Sequence, residues 1–262
     1  MSLKTLAAAP PSGRPRPLLI NDDGYSTAVI RQGAPIPWTD TTLAAGHFGQ
    51  VRGLLDPDSH WIDVRRLMAA HLAARPELVE AMGARSRTGY PLRTLLGDEA
   101  LLESLLEVLG TVSHTTRRGL VLYTPSPAAW LSWAHQIAGS PIGAVDPDRA
   151  DSASMYVAEW LGRLGELTVA LVLLDARGTP CQTAERLDGY TSIANVAGHF
   201  DWSVALWHDG GIETAAGDPG IVVIPDQFWT ATAEVPEGEV LLTTIPDSAQ
   251  PEHVLDQLAT LR

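Results

Sequence analysis

The stretch Thr168-Val169-Ala170-Leu171-Val172-Leu173-Leu174, followed at once by Asp175, decides the fold. A strand with one wet face alternates apolar and polar residues. An unbroken Val/Leu run ending in an acid reads instead as a parallel strand buried on both faces. Upstream, residues 151–164 carry a helical pattern, and Leu120-Val121-Leu122-Tyr123 is a strand that passes through Pro125 and Pro127 into a helix over 128–138. Downstream, residues 190–196 read as the next strand and 199–207 as a short helix with Phe200, Val204 and Trp207 on one side. Strands follow at 221–224 and 240–245, then a Pro246-Asp247-Ser248 turn and a closing helix with Val254, Leu255, Leu258 and Leu261 inward. Repeated β-then-α units predict a parallel α/β architecture.

The N-terminal half is less regular. Residues 1–17 read as a flexible Pro-rich arm, Leu18-Leu19-Ile20 as a short strand meeting the turn cluster Asn21-Asp22-Asp23-Gly24, and with Ala28-Val29-Ile30 following, an edge hairpin and a strand with a loop both fit. Residues 41–110 are helical throughout. The triplets Asp56-Pro57-Asp58 and Asp146-Pro147-Asp148 both read as helix caps, where an acid meets the positive helix end and proline fixes the first turn. Six strands are evident where a (β/α)8 barrel needs eight, so two must hide in the helical block or near Ala28. No G-x-G-x-x-G supports a dinucleotide-binding sheet. The expectation is one TIM-barrel-like parallel α/β barrel over 18–262, with β/α units over 119–262 and 41–110 as a helical N-terminal elaboration.

Composition narrows the function. Lys+Arg 18 against Asp+Glu 31 gives a net charge of −13, which repels phosphate backbones and anionic lipid, so nucleic acid and membrane surfaces are excluded as partners. A small-molecule substrate remains, and oligomeric state is left open. The only lysine is Lys4 and the only cysteine Cys181, which removes Schiff-base chemistry, intrachain disulfides and multi-cysteine zinc sites and fits a reducing cytoplasm. Residues 1–17 lack the apolar segment of a secretory signal. Residues 119–145 are free of Asp, Glu, Lys and Arg, but their prolines, His135 and Gln136 favour strand, turn and helix over a membrane span.

Active sites of parallel α/β folds lie beyond the carboxyl ends of the strands. The polar residues there are Asn21, Asp22, Asp23, Tyr123, Ser126, Asp175, Arg177, His199, Asp201, Asp226, Gln227 and Asp247. Turns favour Asp, Asn and Ser by themselves, so the set matters more than any member. His199, at an expected strand-to-helix junction, is the sharpest acid/base candidate, and His199-Phe200-Asp201 could supply two metal ligands beside Asp175, Cys181 or Glu185. Eight tryptophans, among them Trp130, Trp133, Trp202, Trp207 and Trp229, could wall a pocket for a flat substrate. No H-E-x-x-H, G-x-S-x-G or P-loop motif is present.

Leu122-Tyr123-Thr124-Pro125-Ser126-Pro127-Ala128-Ala129-Trp130, the segment 156–161 leading to Leu173-Leu174-Asp175, and the tail 245–252 resemble the superfamily that joins uroporphyrinogen decarboxylase to cobalamin-independent methionine synthase. The resemblance covers roughly the second half of the chain and implies a (β/α) barrel. Ile30-Arg31-Gln32-Gly33 is similar to the arginine-bearing entry segment of the decarboxylase branch, whose members use Arg, Asp, Tyr and His and no cofactor. The expected function is accordingly a cofactor-independent, decarboxylase-like lyase acting on a small carboxylate-bearing aromatic or pyrrole substrate. In it His199, Asp175, Asp201 and Asp226 are catalytic, and Arg31, Arg177, Tyr123, Ser126, Trp130 and Trp229 bind substrate. The methionine-synthase branch implies the alternative, methyl transfer with zinc on His199 and Cys181. A non-catalytic binding protein on a degenerate barrel is the third reading.

Overall fold

A computed structural model describes every residue except Pro180 and Thr232. The chain runs through α1 (Leu3–Ala8), β1 (Leu18–Asn21), α2 (Asp23–Val29), α3 (Thr41–Leu55), β2 (Ser59–Asp63), α4 (Val64–Ala73), α5 (Pro76–Met82), α6 (Tyr90–Leu96), α7 (Glu99–Thr116) and β3 (Gly119–Pro125). It continues with α8 (Pro127–Ile137), α9 (Pro147–Arg163), β4 (Val169–Asp175), α10 (Thr191–His199), β5 (Ser203–His208), β6 (Gly211–Thr214), β7 (Ile221–Ile224), β8 (Val240–Thr244) and α11 (Pro251–Thr260). Neighbouring strands follow the order β6-β5-β4-β3-β2-β1-β8-β7. All pairs are parallel except β5 with β6, a hairpin through His208↔Gly211. The result is a nearly closed, TIM-barrel-like α/β barrel, and among the described residues its open seam lies between β6 and β7. No helix among them is long and apolar enough to cross a membrane.

Strand alternation sorts the core into two layers. Leu19, Trp61, Val121, Leu171, Leu173, Ala205 and Leu242 fill the barrel, while Ile62, Leu120, Leu122, Val172, Leu174 and Leu206 face the helices. Both faces of β4 are buried, which is why its sequence runs apolar without interruption.

Residues 1–17 are not a free arm. Leu3 and Leu6 of α1 are buried in the barrel core, and the Leu3 amide donates to Ser203 Oγ at the start of β5 (3.1 Å), so α1 closes the amino-terminal end of the barrel. The Met1 side chain reaches the same end of the barrel, its terminal methyl lying where a Cβ at Gly119 would stand. Asp58, wholly buried, ties the following segment down by accepting from the Ser12 and Leu18 amides (both 2.8 Å), with the Arg14 guanidinium 3.9 Å away.

Four local expectations are overturned. Residues 190–196 belong to helix α10, whose buried Ile193 and Ala197 lie one turn apart, and 203–208 form strand β5. Phe200, Val204 and Trp207 mimic a helical stripe only because both faces of β5 are buried and no alternation shows. The 28–30 segment lies at the end of α2 instead of in a hairpin strand or a loop. The block 41–110 hides β2, whose Ser59, His60 and Asp63 look like loop residues yet are all buried. Of the six strands expected, the one at 190–196 is lost and β2, β5 and β6 are added, which makes eight; only β2 lies where a hidden strand was expected. Of the two Asp-Pro-Asp triplets, Asp146 caps α9 by accepting from the Arg149 amide (2.9 Å), whereas Asp56 ends α3 in a left-handed conformation (φ 47°) and Asp58 leads into β2.

Candidate active site at the barrel mouth

At the carboxyl ends of the strands the inward-facing positions are occupied by polar and aromatic side chains. Register places Asp63 of β2 beside Tyr123 of β3, and Asp175 of β4 beside Trp207 of β5. Trp61 stacks beneath, its ring centroid 4.7 Å from that of Tyr123. The Tyr123 hydroxyl donates to Asp175 Oδ2. Arg177, two residues past β4, grips the same carboxylate with Nε (2.8 Å) and Nη2 (3.1 Å), donates to the Tyr123 oxygen (3.1 Å), and lies over the Trp207 ring with Cζ 3.6 Å from its centroid. Such a fork on a carboxylate fixes orientation as well as charge. Burial pushes the Asp175 carboxyl up, but the Arg177 and Tyr123 hydrogen bonds outweigh it and hold the group below the ordinary carboxylate range. The Tyr123 phenol is driven up by burial and by Asp175, so it stays a donor.

The rim above β1 and β2 has the opposite character. Asp22 and Asp23 leave β1 directly into α2 and are almost wholly buried. Burial lifts the Asp22 carboxyl to about 6 against the opposing Ser26 hydroxyl. Asp23 is pushed well above the ordinary range, by burial first and then by the charges of Asp22 and Asp63, with Arg66 opposing. Asp63 is raised by burial, partly offset by the Arg66 amide that its side chain caps (2.9 Å) and by the Arg66 guanidinium. That guanidinium is largely exposed and sits 3.5 Å from Asp63 and 4.0 Å from Asp23. The mouth thus joins carboxyls held toward protonation to one clamped in the ionised form, an arrangement that separates acid from base.

Beside Asp175 a cavity of about 490 Å³ opens among Cys181, Glu185, His208 and Glu213. Glu185 accepts from Ser126 Oγ (2.8 Å) and from the Tyr190 hydroxyl, and burial raises its carboxyl despite both bonds. The Cys181 thiol is pushed up by burial and by Glu185, and it donates to the Val145 carbonyl (3.4 Å), so it is a packed thiol and not an activated nucleophile.

Of the residues expected from the sequence, Asp175, Arg177 and Tyr123 come together in one hydrogen-bonded group, and the Ser126 amide donates to the Asp175 carbonyl (2.8 Å). His199 does not join them. It ends α10, and Asp201, whose carboxylate is 3.7 Å from the Met1 amino group, precedes β5, so both lie at the amino-terminal end that α1 closes. The expectation that Asp175, His199 and Asp226 share a rim is therefore wrong for His199, because α10 returns the chain to the far end before β5 begins. Asp226 follows β7 on the same rim as Asp175 and is exposed. Arg31 lies in the loop after α2, where Nε donates to the Pro35 carbonyl (3.2 Å). Trp130 and Trp229 are core residues, wholly buried, with indole N–H groups bonded to Thr124 Oγ1 (2.8 Å) and Thr243 Oγ1 (2.6 Å), so neither is a pocket wall.

The zinc donors proposed from sequence do not fit a metal. Cys181 lies in the loop beyond the carboxyl end of β4 and His199 at the opposite end of the barrel, and no group of three or more His, Cys, Asp or Glu among the described residues is arranged to hold an ion. Sequence reasoning missed Asp63 and Arg66 because the strand that presents them was concealed in a helical block. The available signal was the short run Trp61-Ile62 ending in Asp63, an acid followed by a helical pattern, the same punctuation seen at Asp175. Comparison of the chain with protein-family models, with curated proteins and with solved structures returned no match.

Proposed function

We propose that the barrel mouth is the active site of a cofactor-independent lyase that releases carbon dioxide from a small aromatic or pyrrole carboxylate. The observation that carries this reading is the separation of protonation states along one rim, Asp23 and Asp22 held toward the acid form and Asp175 toward the base form. The exposed Arg66 guanidinium pairs with a substrate carboxylate that is retained, and Tyr123, backed by Trp61, supports the ring. The bond to the departing carboxylate breaks with its electron pair left on the ring carbon. Carbon dioxide leaves, and the Asp23 carboxyl proton forms the new C–H bond. Asp23 is then reprotonated from water, so atoms and charge balance without an oxidant or reductant. Asp175, Arg177 and Tyr123 fix the opposite wall.

The test is carbon dioxide release from a panel of aromatic and pyrrole carboxylates by the parent protein and two variants. Asp23→Asn should lower kcat by about 10²- to 10⁴-fold, the usual worth of a positioned acid. His199→Ala, at the other end of the barrel, should leave it unchanged. Turnover that survives Asp23→Asn and is lost in His199→Ala would reverse the assignment.

A further inference from the structure

Away from the mouth, on the helical shell between α6 and α9, a cavity of about 540 Å³ gathers Arg85, Arg87, Arg93 and Arg163 around Tyr90 and Tyr156. In a chain of net charge −13 this is a local reversal of sign, since only Glu99 and Glu159 among the lining residues are acidic. Arg163 is ion-paired with Glu99, and Arg85 rests over the Tyr90 ring, 5.1 Å from its centroid. Among the described residues no carboxylate lies within ion-pairing distance of Arg85, Arg87 or Arg93, all three exposed, and Glu159 is the one lining acid left beside them, so positive charge is in excess at the cavity. The walls are held in place: the Thr88 carbonyl accepts from His135 Nε2 (2.6 Å), the Tyr90 amide closes a turn on the Arg87 carbonyl (2.9 Å), and the Tyr156 ring packs so closely on Gly89 that a Cβ there would lie 2.9 Å from it.

We propose that this cavity is a second binding site, taking the phosphate of a small phosphorylated molecule that carries a flat ring. Guanidinium groups present planar forks that match phosphate oxygens, and converging several of them costs repulsion that an anion relieves. The volume is that of a pocket for a mononucleotide-sized ligand, and two aromatic rings, Tyr90 and Tyr156, line its wall, the first already carrying the Arg85 guanidinium over one face. The site is independent of the barrel mouth and of the reaction assigned there.

Calorimetric titration of the full chain with inorganic phosphate and with ADP, at low and at moderate salt, tests it. ADP should bind at least tenfold more tightly than inorganic phosphate, with affinity falling as salt rises. The double variant Arg87→Gln/Arg93→Gln should weaken ADP binding at least tenfold, while Arg149→Gln, whose partner is Asp146, should not. Thermal unfolding of each variant checks that the fold is intact. No binding of either probe at millimolar concentration, or binding unchanged in the double variant, would overturn the site. Equal affinity for the two probes would overturn the role given to the tyrosines.

Discussion

Asp22 and Asp23 show how the mouth exchanges stability for chemistry. A carboxyl that titrates near 6 when folded and near 3.8 when unfolded holds its proton more tightly in the native state. Its contribution to stability is complete below the unfolded value and is lost as pH rises through about 6. At neutral pH its burial is therefore a net cost. Asp22→Asn should raise stability at pH 7 by roughly 1–3 kcal/mol and have little effect at pH 4, measured by urea unfolding at both pH values. The two aspartates were legible in the sequence as a turn cluster after a strand. Their burial was not, because it depends on α2 starting at once on top of β1, and the sequence there reads equally as a hairpin or a loop.

At the scale of elements, two features invite measurement. Helix α1 closes the barrel floor with Leu3 and Leu6, so Leu6→Ala should cost about 2–5 kcal/mol by denaturant unfolding, a value foreign to a free arm. Helix α3 and strand β2 meet at His47 and His60, buried on either side of Phe48, with ring centroids 5.2 Å from it. Burial lowers His47 to about 4 and His60 to about 3, with nearby arginines adding to the effect. Their stabilisation is complete above the ordinary histidine value and is lost as pH falls from about 6.5 toward 4, because the unfolded chain takes up the protons first. His60→Leu should flatten this acid limb of the Tm-against-pH curve. The strands that sequence made plain, β1, β3, β4, β7 and β8, are those whose apolar runs are closed by a proline or by a polar turn cluster. Those it hid carry polar residues that only the assembled barrel buries, as in β2, or an accidental helical spacing, as in β5.

For the whole molecule, strand order follows chain order all the way around the barrel, pairing is missing among the described residues only at the seam between β6 and β7, and the one antiparallel strand is beside it. Val223, inward-facing on β7 yet 40 % exposed, marks the same opening. Backbone amides along β6 and β7 should therefore exchange with solvent faster than those of β3 and β4, read by hydrogen exchange. The barrel class was legible from the repeated β-then-α grammar, which tolerates errors in single elements. The site was legible only where strand ends had been placed correctly, which is why Asp175, Arg177 and Tyr123 cluster and His199 stands apart. The central claim, that one rim holds its carboxyls in opposite protonation states, is tested most directly by titrating carboxyl-labelled aspartate by carbon-13 NMR in the parent protein and in Arg66→Gln. The account predicts Asp22 titrating near 6 and Asp23 well above the ordinary range, Asp175 below that range, and a further rise of Asp23 and Asp63 when the Arg66 charge is removed. Three aspartates titrating together near 3.8, unmoved by Arg66→Gln, would contradict it.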